Sequence, residues 1–194
     1  MLVGFTGAQS TGKTTLLQQC KNTPYFASSN WSFVDEVTRK VQRAGNMINE
    51  CGDDTTQLFI LSEHLNNHII DVSQNLILDR CILDGYIYTD WLVGKGMVNE
   101  WVSRYAQDLM NHLVRKLDII FYTQPEDVIL VNDGVRSTDR NFRQDIIDSY
   151  ERLFSENNDW MDKLVRLRGD IDTRMQTILN TVHEKEQIRQ QQNI

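Results

Sequence analysis

Residues 7 to 14 read Gly-Ala-Gln-Ser-Thr-Gly-Lys-Thr, a spacing of glycine, lysine and hydroxyl suited to holding phosphate. Glycines let the successive N–H groups of Gly7, Ala8, Gln9, Ser10, Thr11 and Gly12 turn inward as an anion nest. Lys13 reaches toward the β- and γ-phosphates, Thr14 offers a hydroxyl to Mg²⁺, and Thr15 continues into the helix. A helix opening at Lys13 adds its positive dipole end. The expected ligand is a nucleoside triphosphate, with ATP and Mg²⁺ as cofactors.

Two further groups stand where chemistry is expected. The segment Phe33-Val34-Asp35-Glu36 carries Arg39 a turn later, and Leu76-Ile77-Leu78-Asp79 is followed by Arg80. In an open α/β sheet ligands lie beyond the carboxyl ends of the strands, so both acids and arginines should reach the mouth that holds the loop. Asp79, after an apolar run, is the acid expected to orient Mg²⁺ through water. Glu36 is the expected base for an acceptor hydroxyl. Asp35 could exchange roles with it, because neighbouring strand residues face opposite sides. The structural alternative has Asp35 and Asp79 capping helices. The acceptor is expected to contact Asp35, Glu36, Arg39, Arg80 and Tyr86.

A third group is Arg136, Arg140 and Arg143, spaced i, i+4, i+7. On a helix they share one face, which continues into Ile147, Tyr150 and Phe154 rather than opposing it. They should therefore point inward as a lid, about residues 133–145, holding the charge that spreads during phosphoryl transfer. A surface pair between Asp139 and Arg143 is the competing reading, worth little energetically. Catalytic roles are thus expected of Lys13, Glu36, Arg80, Arg136, Arg140 and Arg143, and metal binding of Thr14 and Asp79.

These groups need a scaffold. Apolar runs at Leu2 to Thr6, Ser32 to Asp35, Leu76 to Asp79, Asp118 to Tyr122 and Leu164 to Leu167 read as buried parallel strands. Helical patterns alternate with them at Lys13 to Cys20, Thr55 to Ser73, Asp84 to Val93, Glu100 to Arg115, Asp139 to Phe154 and Ile171 to Lys185. In the second of these, Leu58, Leu61, Leu65, Ile69 and Val72 form the expected apolar stripe. The fold class is α/β: a doubly wound five-stranded parallel sheet with an arginine-bearing helical lid. The expected domain covers residues 1–183, and 184–194 reads as a polar, fraying tail. Pro24 and Pro125 read as loops.

Composition narrows the classes. At 194 residues, with 40% hydrophobic content, the chain can bury one sizeable core. A formal charge of −7 disfavours non-specific binding to nucleic acid. Cys20, Cys51 and Cys81 are odd in number and far apart, which suggests neither disulfides nor a zinc knuckle and fits a cytoplasmic location. No apolar run spans a bilayer, and Met1 leads directly into a strand without a signal peptide. His64 and His68, one turn apart, lack a third ligand and read as a packed or solvated pair. Tyr86, Tyr88 and Trp91 read first as core and second as base-stacking.

The loop, together with "VDEVTRKV", "LDRCILDGYIY", "LDIIFY", "DGVRSTDRNFR" and "LRGDIDTR", resembles the P-loop kinase domain of nicotinamide riboside kinases. The Asp79-Arg80 pair is similar to the acid-arginine pair of deoxynucleoside and thymidylate kinases, and related domains occur among phage nucleotide kinases. The resemblance covers about residues 1 to 180 and implies a P-loop NTPase fold of kinase type. It also implies that Glu36 holds or deprotonates the acceptor, and that Arg39 and Arg80 bind phosphate. The arginines from Arg136 onward would form the lid, and Gly169 to Arg174 would line the adenine. Cys81 departs from the Ser or Tyr usual after the pair, and no adenylyltransferase domain is expected within these 194 residues.

The expected activity is transfer of the γ-phosphoryl group of ATP to a nucleoside or nucleotide. The alternatives are a kinase acting on a polynucleotide or modified base, and a P-loop NTPase that is not a kinase. No guanine-reading Asn-Lys-x-Asp and no Leu-Ser-Gly-Gly-Gln signature supports the last. The expected partner is a small-molecule acceptor, with no membrane involved, and a homodimer is compatible with this reading.

Overall fold

A computed structural model describes residues 1–28, 30–69, 75–125 and 140–192. Five parallel strands, β1 (Leu2–Thr6), β2 (Trp31–Val34), β3 (Asn75–Asp79), β4 (Ile119–Thr123) and β5 (Leu164–Leu167), form one sheet in the order β2-β3-β1-β4-β5. The helices are α1 (Lys13–Asn22), α2 (Pro24–Ser28), α3 (Val37–Arg43), α4 (Asp54–Ile69), α5 (Ile82–Gly94), α6 (Glu100–Leu113), α7 (Arg140–Glu156) and α8 (Ile171–Gln192).

The strands are apolar throughout because both faces of the sheet are covered. Alternate residues divide cleanly between two cores. Val3, Phe5, Ile77, Ile119 and Phe121 pack with Leu16 and Leu17 of α1 and Ile178 and Val182 of α8. Leu2, Leu76, Leu78, Ile120 and Tyr122 pack on the other face with residues of α4 to α7, including Leu61, Leu83, Val102 and Tyr150. Side chains two residues apart share a face, so this division follows from the strand period. A doubly wound sheet results, as expected.

On the second face β1 must approach the start of α5. A Cβ at Gly4 would lie 2.8 Å from Cys81 Cβ and 3.3 Å from Leu117 Cδ2. Gly4→Ala should therefore cost about 1–3 kcal/mol by overpacking the central strand, read as a lower denaturation midpoint at unchanged m-value.

Several boundaries differ from expectation. β2 ends at Val34, leaving Asp35 and Glu36 beyond the strand. Pro24 opens a short helix rather than a loop, consistent with proline at a first helical position. Within α4 the buried face carries Thr56, Gln57, Ile60, Leu61, His64 and His68, whereas Ile69 is exposed. Leu61 is buried and Leu58 and Leu65 pack against the core, so the leucine stripe holds up to Ile69 while the buried face is broader than expected; Val72 and Ser73 lie outside the described residues. α6 ends at Leu113 and passes into a 3₁₀ turn, Val114–Lys116. The expected tail is a correction: α8 continues to Gln192. Arg189 Nη2 lies 3.2 Å from Asp118, and Tyr25 hydrogen-bonds Glu186, which ties this helix to the body. Among the described residues no helix is long and apolar enough to cross a membrane.

Candidate active site

The loop after β1 takes its shape from three left-handed positions, Gly7 (φ 137°), Ser10 (φ 55°) and Gly12 (φ 86°). At Gly7 a side chain is excluded, since a Cβ would lie 2.6 Å from Thr123 Oγ1 and 3.0 Å from the Thr123 carbonyl. Thr123, at the end of β4, braces the loop through a 2.6 Å hydrogen bond with Thr11 Oγ1. Two guanidinium groups reach the same backbone. Arg174 of α8 donates to the carbonyls of Thr11 (3.0 Å) and Gln124 (3.2 Å). Arg143 of α7 donates to those of Gln9 (3.2 Å) and Pro125 (2.9 Å).

Lys13 is buried, and its ammonium donates to the carbonyls of Gly7 (2.7 Å) and Ala8 (2.6 Å). Burial, reinforced by the charge of Arg80, lowers its pKa to about 7 against the opposing pull of Asp84, Asp79 and Glu36. Ser10 Oγ and Gln9 Nε2 are buried without hydrogen-bond partners. Such orphaned groups are costly unless a ligand or water meets them, and a phosphate chain on the loop would do so.

Asp79 ends β3 facing the start of α1. Its Oδ2 lies 3.5 Å from the Thr14 hydroxyl, and its Oδ1 is buried without a partner. Burial and the neighbouring charge of Glu36 push its pKa up to about 6. A hydroxyl and an under-satisfied carboxylate side by side fit Mg²⁺, which takes few protein ligands and completes its shell with water and phosphate oxygens.

The next turn builds an ion network. Arg80 sits at φ 73°, a conformation costing about 1–3 kcal/mol for a residue with a side chain. Its Nε lies 2.6 Å from Glu36 Oε1 and its Nη1 2.6 Å from Asp84 Oδ1, all three groups being buried. Asp84 also accepts from the Thr6 hydroxyl (2.7 Å) and the Cys81 amide (3.2 Å), which caps α5. Arg39 Nε approaches the other Glu36 oxygen at 3.3 Å. Burial alone would raise the Glu36 pKa, but the charge and hydrogen bond of Arg80 outweigh it and hold it down at about 2.

The neighbours Asp35 and Glu36 are separated by this geometry. The Asp35 side chain is 86% exposed and pairs with Lys21 at 3.0 Å, whereas that of Glu36 is 4% exposed and faces Arg80. Tyr86 does not join the group: its charged neighbours are Asp90, Arg152 and Glu156. The aromatic at the site is Tyr88, whose hydroxyl donates to Gln9 Oε1 (3.1 Å) and whose ring lies 5.3 Å from the Arg80 guanidinium carbon. Trp91 packs on Phe142 and donates to Asp145, a structural role.

Of the lid arginines, Arg143 comes to the loop. Arg140 opens α7, Arg136 lies outside the described residues, and the same holds for Asp139 and its expected pair. Thr15 is exposed and, with Gly12, Gly169, Asp170 and Arg174, borders a depression of about 230 Å³ on the α8 side. Reasoning from sequence missed Asp84 and Thr123, and it ranked a ligand-facing role for Tyr88 second to a place in the core. The one signal for Asp84 was its place four residues after Arg80.

Comparison with solved structures finds the same fold in two kinds of protein. A NadR protein in complex with NR superposes with a TM-score of 0.71 at 21% identity, covering 95% of this chain and 51% of that one. The chain thus spans about half the length of that NadR protein. A deoxyadenosine kinase from M. mycoides, with products dCMP and dCDP bound, gives a TM-score of 0.66 at 15% identity and 95% and 99% coverage. At these identities the likeness is one of fold. No curated protein matches the sequence. The AAA domain family model matches residues 2–174, and the chain belongs to that family.

Proposed function

We propose that the protein is an ATP-dependent kinase that phosphorylates a nucleoside or nucleotide held beside Glu36. The carrying observation is that a phosphate loop, a hydroxyl–carboxylate pair fit for Mg²⁺ and the buried Glu36–Arg80–Asp84 network share one mouth at the carboxyl ends of β1 and β3. A hydrolytic switch has no need of such a network. The fold shared with a deoxyadenosine kinase over 99% of that chain supports the same reading.

The acceptor oxygen attacks the γ-phosphorus, and the bond to the β–γ bridging oxygen breaks with its electron pair leaving on ADP. Glu36 receives the hydroxyl proton and returns it to water. With a pKa near 2 it is a weak base, which suits a loose transition state in which the proton departs late. Its main work is to aim the hydroxyl, itself held by Arg80 and Arg39. Lys13 supplies positive charge to the phosphates, and Thr14 with Asp79 would hold the metal. Held there, Mg²⁺ would offset the negative charge of the phosphates. Arg143, which reaches the loop carbonyls, would act with Arg136 and Arg140 as the lid of a single kinase domain.

Labelled ATP offered with nicotinamide riboside, the deoxynucleosides, their monophosphates or DNA should yield one class of phosphorylated acceptor. Glu36→Gln should lower kcat on that acceptor about 10²- to 10⁴-fold while the Kd for ATP changes less than about twofold. ATP consumption at one rate with and without every acceptor, and no phosphorylated product, would refute the kinase reading.

A further inference from the structure

The expectation that His64 and His68 are a packed or solvated pair holds for His68, which is buried and whose Nδ1 lies 2.7 Å from the His64 carbonyl. His64 differs. It is 1% exposed, its Nδ1 has no hydrogen-bond partner, and its ring lines a cavity between α3, α4 and α5. Arg80 and Asp84 line the same cavity, so it opens directly on the network that holds Glu36. Gly85 brings the α5 backbone against the imidazole: a Cβ there would lie 3.0 Å from His64 Cδ2.

We propose that His64 is a specificity-determining residue whose imidazole hydrogen-bonds the ring edge of the nucleoside acceptor that Glu36 presents. This rests on the kinase reading above and extends it to a residue outside the phosphate machinery. Three observations support it. Burial, with the charges of His68 and Arg80, holds the His64 pKa down at about 3, so the ring is neutral and offers one donor and one acceptor nitrogen. The lining includes the apolar Val37 and Ile60 and the Tyr88 ring, surfaces suited to a flat heterocycle, beside the polar Thr38, Asn49 and Gln57. Its one cation, Arg80, is already engaged by two carboxylates, so nothing here competes for a phosphate. The cavity is tight, about 20 Å³, so its walls must give way to admit a ring; Val37 and Thr38 of α3, which directly follow Glu36 in the chain, belong to that lining.

A site built to hydrogen-bond a ring discriminates against an analogue lacking the bonding group, because its own polar atom is then left unpaired. The test compares deoxyadenosine with purine 2′-deoxyriboside, and nicotinamide riboside with pyridine riboside, in the wild type, His64→Leu and His64→Gln. In the wild type, kcat/KM for the pair containing the phosphorylated acceptor should favour the bonding member about tenfold or more. His64→Leu should raise the acceptor KM and remove that preference, leaving the KM for ATP unchanged, and His64→Gln should restore part of it. Equal use of both members by the wild type, or a preference that survives in His64→Leu, would overturn the role of His64 while leaving the kinase reading intact. Should His64→Leu fail to fold, the wild-type pairs and His64→Gln still decide. If no nucleoside or nucleotide is phosphorylated at all, both readings fall together.

Discussion

Arg80→Met should destabilise the protein by about 3–5 kcal/mol, because it leaves two buried carboxylates facing each other without their cation. Methionine keeps most of the stem volume, so the loss isolates charge rather than packing. At this chain length that corresponds to a fall in Tm of about 10 °C. The sign of the pH dependence follows from Glu36. Its folded pKa, about 2, lies below the unfolded value of 4.5, so its contribution is present above pH 4.5 and is lost as pH falls toward 2. The stability gap between wild type and Arg80→Met should therefore narrow on acidification through that window. A gap of constant size between pH 7 and pH 3, in chemical denaturation, would mean that Arg80 acts through packing instead.

Lys13→Ala should reduce kcat/KM about 10²- to 10³-fold, the usual consequence of removing one preorganised donor from developing charge. Stability should hardly change. The ammonium is held in the fold with its pKa lowered from 10.5 to about 7, so the protonated form is disfavoured by folding. Removing it gives up hydrogen bonds to the carbonyls of Gly7 and Ala8 but also removes a desolvated charge. Between pH 7 and 10.5 the unfolded chain binds a proton at this position that the folded one does not, so wild-type stability gains from rising pH. Lys13→Ala lacks that gain. Equal pH slopes in the two proteins, or full activity in the variant, would contradict this account.

How legible the site was depended on how local each part is. The loop is written in eight consecutive residues, and its glycines coincide with positive φ at Gly7 and Gly12. The strands were legible because a doubly covered sheet demands unbroken apolar runs, and their boundaries moved by a single residue at most. α4 was read in part. Leu61 is buried and Leu58 and Leu65 pack on the core as the stripe implied, but Ile69 is exposed and the buried face also takes in Gln57, His64 and His68, because the helix borders a cavity as well as a core. Tyr86 and Tyr88 lie two residues apart on one helix, and only the rotation of α5 decides that Tyr88 meets Arg80.

The sequence by itself determined that a phosphate nest stands between the first strand and first helix, and which strand ends bring acids and arginines beside it. Local backbone requirements and the two-residue period suffice for that. Tertiary structure alone decided that Glu36 turns inward while Asp35 faces solvent, and that Arg80 is shared between Glu36 and Asp84. It also decided that His64 borders the cavity that Arg80 and Asp84 line. These choices depend on contacts between residues far apart in the chain, 44 positions in the case of Glu36 and Arg80. No local pattern encodes such a contact, because the energy that selects it exists only once the helices have packed and water has left the space between them.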